Sequence, residues 1–230
     1  MCGRYSQQHT AEEIAERFEI IDPEFSFPPR YNIAPSQIVP IIIAQEQRRL
    51  VGCKWGLVPF WAKDPSIANR TINAKSETLA QKPAFKYAVV KRRCLIPADG
   101  FYEWQKQPKG PGQPFYIRRP DHGLFAFAGL WEGWTSPEGE RLRTFTIITV
   151  EPNETIRPIH DRMPAIIQPE AEAMWLDSSI QDPIHVLPLL QPYPETDLEM
   201  FRVSRAVNYP ATDEPSLIEP LKRETTEHTE

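Results

Sequence analysis

Proline is the feature that most limits what this chain can build. Its 230 residues include 25 prolines, spread along the length instead of gathered in one stretch. That is roughly twice the usual share of about 5%. Each proline fixes φ at about −65° and withdraws a backbone donor, so neither a long helix nor the middle of a wide sheet tolerates many of them. The dispersion excludes a proline-rich linker. It predicts short elements joined by many fixed turns.

Residues 10–19, TAEEIAERFE, read as an amphipathic helix: Thr10 and Glu13 make a capping-box pair, and Ile14 and Phe18 share one face. IVPIIIA at 38–44 reads as a strand that Pro40 pushes toward a sheet edge. The turn EQRR then leads to a second strand at 53–58, a hairpin pattern. Residues 62–82 show no period and read as a long loop, where function tends to sit. A short helix at 85–90 leads to a strand at 94–96. Further strands follow at 101–105, 114–119, 124–134 and 144–150, with PDHG and SPEG as turns. PEAEAMWL at 169–176 opens a helix on proline, and MFRVS at 200–204 is a last strand. Few strand–helix–strand alternations occur. The expected class is therefore α+β, a mostly antiparallel sheet forming a pseudo-barrel with flanking helices.

The formal charge is −5, but its distribution matters more than its sum. Six acids and two bases in residues 211–230 leave that stretch at −4 and the first 210 residues at −1. The expected organisation is one domain over 1–210 and an acidic, disordered tail over 211–230. A near-neutral body argues against indiscriminate nucleic-acid binding and leaves room for a local basic cleft. No apolar run approaches the ~20 residues of a membrane span. The N-terminus lacks a signal-peptide core, and the three cysteines, Cys2, Cys53 and Cys94, follow no disulfide framework. These features predict a cytoplasmic protein. A monomer suffices. Neither a CxxC or HxxxH metal spacing nor a phosphate-cradling glycine loop occurs, so no metal and no cofactor is expected. Cys53 and Cys94 lie in apolar strands and read as buried structural thiols.

Cys2 stands apart by position. Methionine aminopeptidases remove Met1 when the second residue is small, which leaves a free α-amine and a thiol on one carbon skeleton. Such a 1,2-aminothiol condenses with an aldehyde to an imine and then closes to a five-membered thiazolidine. Its groups have reference pKa values of about 7.7–8.0 and about 8.5, so both are partly deprotonated near neutrality. On position alone Cys2 equally reads as part of a frayed terminus.

Six ordered segments narrow the reading: MCGRY at 1–5, YNIAPSQ at 31–37, KWGLVPFWAKD at 54–64, TINAKSET at 71–78, RRCLIPADGFYEW at 92–104 and IHDRMP at 159–164. Together they resemble the SRAP domain proteins, also called abasic site processing proteins or SOS response-associated peptidases. The resemblance spans almost the whole body. One position departs from the family's usual Asn-Ala-Arg: here it is Asn73-Ala74-Lys75, which keeps the charge and loses arginine's bidentate fork.

The resemblance implies that Cys2 is the nucleophile, Asn73 positions the N-terminus or the opened sugar, Glu103 is a general acid/base, and His160 handles protons. It implies phosphate contacts at Arg4, Arg70, Lys75 and Arg162, and single-stranded DNA containing abasic sites as the partner. Trp61, at the edge of the long loop, is the candidate for stacking on a base. The chemistry agrees, because opening a closed abasic sugar and expelling water from a carbinolamine both need proton transfer near working pH. On spacing alone Glu103 equally reads as an outward residue of an alternating strand, His160 as a structural partner of Asp161, and Asn73 as a turn former. The run Lys91, Arg92, Arg93 reads as solvated.

Two other functions use the same residues. A cysteine peptidase, including one that removes its own Met1, would use Cys2 and His160 with Glu103 or Asn73. A non-covalent binding module for modified nucleic acid would need none of them to react. Lyase chemistry at Glu103 and His160 is compatible with the first reading.

Overall fold

Short elements are what the prolines allow, and in the computed structural model the longest helix among the described residues has seven residues and the longest strand eleven. Residues 2–21 and 26–221 are described. Along the chain these are β1 (Tyr5–Gln7), α1 (Ala11–Arg17), β2 (Arg30–Ile33), β3 (Ile38–Ala44), β4 (Arg48–Trp55), β5 (Asn73–Lys75), α2 (Ala88–Lys91), β6 (Arg93–Ala98), β7 (Gly100–Gln105) and β8 (Gln113–Arg118). They continue with β9 (Phe125–Thr135), β10 (Arg141–Val150), β11 (Met163–Pro164), β12 (Ile166–Ile167), α3 (Glu172–Leu176) and β13 (Glu199–Arg202). Short 3-10 turns join many of them.

Two sheets share one core. In the larger, β10, β4, β3, β6 and β9 follow one another, and β9 pairs back onto β10. The ring is closed, so these five strands expose no free ladder. All of its pairings are antiparallel except β4 with β10. The second sheet runs β13-β8-β7-β1-β2 and is antiparallel throughout. Tyr5 of β1 sets its ring edge-on to Trp55 and Phe127 at 5.5 and 5.7 Å, and Phe101 of β7 meets Phe127 at 5.9 Å. All four side chains are fully buried. Each such burial stabilises by roughly 1.5–3 kcal/mol, so these rings fix the second sheet against the barrel. The fold is thus the expected α+β pseudo-barrel with a few flanking helices.

The helix at 10–19 forms with both capping-box bonds: Glu13 N–H to Thr10 Oγ1 at 3.2 Å, and Thr10 N–H to Glu13 Oε2 at 2.7 Å. Pro40 does not place β3 at an edge, because β3 lies between β4 and β6. The β6 ladder touches only Ile42 and Ile43, so the missing proline donor faces no strand. Arg93 is not solvated. It is buried, and its guanidinium donates to the carbonyls of Val89, Val90, Trp175 and Asp177, pinning α3 to the barrel.

The packed chain also runs past residue 210. The Asp213 carboxylate accepts from Arg30 and from the N–H groups of Tyr31 and Asn32, Leu217 is buried beside Tyr102, Tyr116, Val203 and Val207, and Leu221 N–H donates to Arg202 O. One carboxylate over two backbone donors and one buried leucine pin a segment whose average composition is polar. Residues 211–221 of the expected tail are therefore packed; residues 222–230 lie outside the described residues.

Candidate active site

Strand pairing brings the N-terminus to the middle of the molecule. β1 lies between β2 and β7, with Tyr5 opposite Phe101, and Tyr102 N–H donates to Arg4 O at 3.0 Å. Carried toward the chain start, this antiparallel pairing sets Cys2 alongside the part of β7 that holds Glu103. Cys2 is fully buried, and its Sγ lies 3.8 Å from Arg4 O. Burial first, and the nearby Glu103 carboxylate second, push the thiol well above its ordinary pKa.

Asn73 reaches the same point from the other sheet. β5 runs parallel to β10, with Asn73 opposite Ile147 and Lys75 opposite Thr149. Asn73 Nδ2 donates to Cys2 O at 2.8 Å. Its Oδ1 is buried and has no hydrogen-bond partner among the described residues. A buried acceptor without a donor is uncommon, and here it belongs to the side chain that holds Cys2.

Glu103 is not an outward residue of β7: it is 1% exposed. Burial drives its carboxyl up to about 7, and Asp161 pushes in the same direction. His160 Nε2 stands 3.7 Å from Glu103 Oε2. The Arg162 N–H donates to His160 Nδ1 at 3.0 Å, so the neutral ring carries its proton on Nε2, on the Glu103 side. Burial lowers the His160 pKa, which keeps the ring neutral at pH 7. Asp161 Oδ1 and Arg162 O lie 3.2 and 3.1 Å from Nδ1 and would receive its proton in the imidazolium form. The pair thus holds a carboxyl that titrates near neutrality next to an imidazole whose Nε2–H can donate a hydrogen bond.

The cleft over this pair opens in two directions. A cavity of about 500 Å³ is lined by Glu103, Trp104, Lys106 and His160, and one of about 740 Å³ by Lys75, Lys106, Arg157, His160 and Arg162. They meet at Lys106 and His160. A larger cavity of about 820 Å³, over residues 44–49 and Trp131, contains none of these groups. The lining carries both signs, with Glu103, Glu151 and Asp161 against Lys75, Lys106, Arg157 and Arg162; Arg157 already pairs with Glu154 and Arg162 with Glu77, so Lys75 and Lys106 are the cations left to meet an anionic substrate.

The remaining candidates divide. Lys75 and Arg70 are exposed, and Trp61 is 45% exposed. Arg4 and Arg162 turn inward. The Arg4 guanidinium donates to Asn32 Oδ1 and to the carbonyls of Val207 and Asn208, tying β1 to the C-terminal segment. Arg162 is buried, makes a bidentate pair with Glu77 at 2.6 and 3.1 Å, and donates to Thr149 O. Neither offers a free guanidinium, because unsatisfied carbonyls and one carboxylate already surround them. Two groups at the cleft escape sequence reasoning. Lys106 is marked only by its place just after β7. Thr149 carries a buried hydroxyl with no hydrogen-bond partner among the described residues, and only the β5–β10 pairing sets it beside Lys75.

Residues 1–210 match the family model described as SOS response associated peptidase (SRAP). The chain belongs to the SRAP family. Its SRAP relatives include "Abasic site processing protein YoqW" of Bacillus subtilis, 46% identical over 222 residues that cover 95% of this chain and 99% of that protein. "Abasic site processing protein HMCES" of Gallus gallus is 33% identical over 232 residues, covering 86% and 68%. Among solved structures, a protein from Bacteroides thetaiotaomicron superposes with a TM-score of 0.88 at 26% identity, covering 96% of this chain and 100% of that one. No helix among the described residues is long and apolar enough to cross a membrane.

Proposed function

We propose that this SRAP protein captures the aldehyde of abasic sites in single-stranded DNA as a thiazolidine on Cys2, once Met1 is removed, and so shields the lesion during the response to DNA damage. The observation that carries this reading is the Asn73 hydrogen bond to Cys2 O, which holds the first residue of the processed chain beside Glu103 and His160. The names of the B. subtilis and chicken relatives support abasic sites as the substrate class.

The chemistry is a condensation followed by an addition. The α-amine attacks the aldehyde carbon, water leaves, and an imine forms. The thiol then adds across the C=N bond: sulfur bonds to carbon and its proton passes to nitrogen. A Glu103 carboxylate can take the proton from the 1′-hydroxyl as the sugar opens and hand it to the departing ring oxygen, while the Nε2–H of neutral His160 donates a hydrogen bond to that oxygen. The raised thiol pKa keeps sulfur protonated at first, so the amine reacts before it. The unpartnered Asn73 Oδ1 is suited to accept from that amine or from a sugar hydroxyl. Lys75, Arg70 and an exposed Trp61 are the groups available to phosphate and base.

Protein freed of Met1, incubated with a single-stranded oligonucleotide bearing one abasic site, is expected to give a band that survives denaturation, with a mass equal to protein plus oligonucleotide less one water. Absence of that species with the aldehyde intact would defeat the reading. Asn73→Ala is expected to slow adduct formation about tenfold, the equivalent of one hydrogen bond of roughly 1.4 kcal/mol, while the protein stays folded. A rate unchanged in single-turnover assays would remove Asn73 from the mechanism.

The peptidase reading fits the geometry less well. Cysteine peptidases depend on a thiol whose pKa is lowered, and burial raises that of Cys2. Hydrolysis of fluorogenic peptides at a rate that Cys2 controls would favour it nonetheless. Simple binding would leave DNA affinity but no covalent product.

A further inference from the structure

Away from the cleft, three cations share one groove. Lys54 of β4 and Arg141 and Arg143 of β10 line a cavity of about 400 Å³ with Ile38, Gly52 and Leu142. No acid lines it, both arginines are exposed, and Lys54 is half-buried. None of the three has a hydrogen-bond or ion-pair partner among the described residues. On a body of net charge about −1, three uncompensated cations at one place mark a surface for a polyanion.

The neighbouring chain says which polyanion. Lys54 pairs with Thr144, next to Arg143, and Leu142 stands opposite Trp134. The Trp134 indole N–H donates to Ala62 O at 2.7 Å, and Val58 N–H donates to Thr144 Oγ1 at 2.8 Å. These bonds lay the loop that carries Phe60 and Trp61 along the same hairpin. Both rings are about half exposed. Cations beside exposed aromatic rings are the pairing that holds single-stranded nucleic acid without reading its sequence. The same strand continues to the cleft: β10 carries Arg143 at one end and, six residues on, Thr149 opposite Lys75. At the rise of a strand that separation is about 20 Å, within reach of a strand running on from the lesion.

We propose that the Lys54–Arg141–Arg143 groove takes the phosphodiester backbone of the strand flanking the lesion, with Phe60 and Trp61 stacking on its bases. The inference rests on the abasic-DNA reading for its biological sense, yet it can be tested apart from it.

The variant Lys54→Gln/Arg141→Gln/Arg143→Gln is compared with wild type for binding to undamaged single-stranded oligonucleotides of increasing length, by fluorescence anisotropy over a salt series. Losing three phosphate contacts should lower the slope of log K against log salt by about 2 and weaken long oligonucleotides on the order of a hundredfold near 0.1 M salt. Short abasic oligonucleotides centred on the cleft should still crosslink at the wild-type rate. Extending them on one side only, 5′ or 3′, should restore the difference on that side alone. Equal affinities and equal slopes at every length would overturn the proposal. If the triple variant folds poorly, Arg141→Gln/Arg143→Gln, at two exposed positions, should give about two-thirds of the change in slope. Wild type that never crosslinks while the slope still falls would sink the covalent reading and leave the groove standing. Crosslinking with an unchanged slope would do the reverse.

Discussion

Cys2→Ala and Cys2→Ser, each with Met1 removed, are both expected to form no adduct that survives heat and denaturation, although borohydride should trap the imine of either. The two variants separate the two bonds of the proposed linkage. Alanine and serine are both small, so Met1 still leaves and the α-amine remains. The amine can make an imine in either variant, and an imine without ring closure hydrolyses back. The thiol's contribution is its placement: on the same carbon skeleton it closes at an effective concentration that intramolecular reactions carry to about 10⁵ M or more, which no added thiol can match. Millimolar free thiol should therefore fail to rescue Cys2→Ala. A stable adduct of full yield from Cys2→Ala would show that the linkage is not a thiazolidine on residue 2. Retaining Met1 on the wild-type chain should act like Cys2→Ala, since the amine would then no longer share a skeleton with the thiol.

Elements with their own signal were legible in the sequence. The capping box at Thr10 and Glu13, the apolar run of β3 and the long hairpin of β9 and β10 each follow from local pattern. Elements that exist only through partners were not. β5 is three residues long and is a strand because β10 lies beside it. β1 is buried at every position and shows no alternation, because it is an inner strand of its sheet and packs on the barrel. The site shows the same division. Cys2, Asn73, Glu103 and His160 lie in recognisable segments, and the fold does bring them together. Arg4 and Arg162 look alike in sequence to Arg70, yet they satisfy carbonyls and Glu77 inside the protein. What separates an inward from an outward arginine is the set of acceptors supplied by distant strands, which spacing along the chain does not encode.

The Glu103 environment gives the second large effect, and its sign runs opposite for stability and for chemistry. Burial lifts the folded-state pKa of this carboxyl from its ordinary value of 4.5 to about 7. Below pH 4.5 the group is protonated both folded and unfolded, and it costs nothing. As pH rises from there, the unfolded chain releases the proton first, so stability falls until the folded carboxyl ionises near 7 and then levels off. At about 1.4 kcal/mol per unit, the accumulated loss is on the order of 3 kcal/mol above pH 7. Glutamine keeps the shape and does not ionise. Glu103→Gln should match wild type near pH 4 and exceed it by roughly 3 kcal/mol at pH 8, about 6–12 °C in Tm for a chain of this size. The same change should slow adduct formation about 10²- to 10⁴-fold by removing the group that moves the proton. Denaturant unfolding of both proteins between pH 4 and 8.5, with single-turnover crosslinking alongside, tests the two halves together. A variant less stable than wild type at every pH would mean that the carboxylate is held as a structural ion pair with His160. A variant whose gain in stability builds from pH 4.5 to about 7 and then levels off, and that is slowed in crosslinking, would mean that the fold tolerates a buried carboxyl for its reactivity.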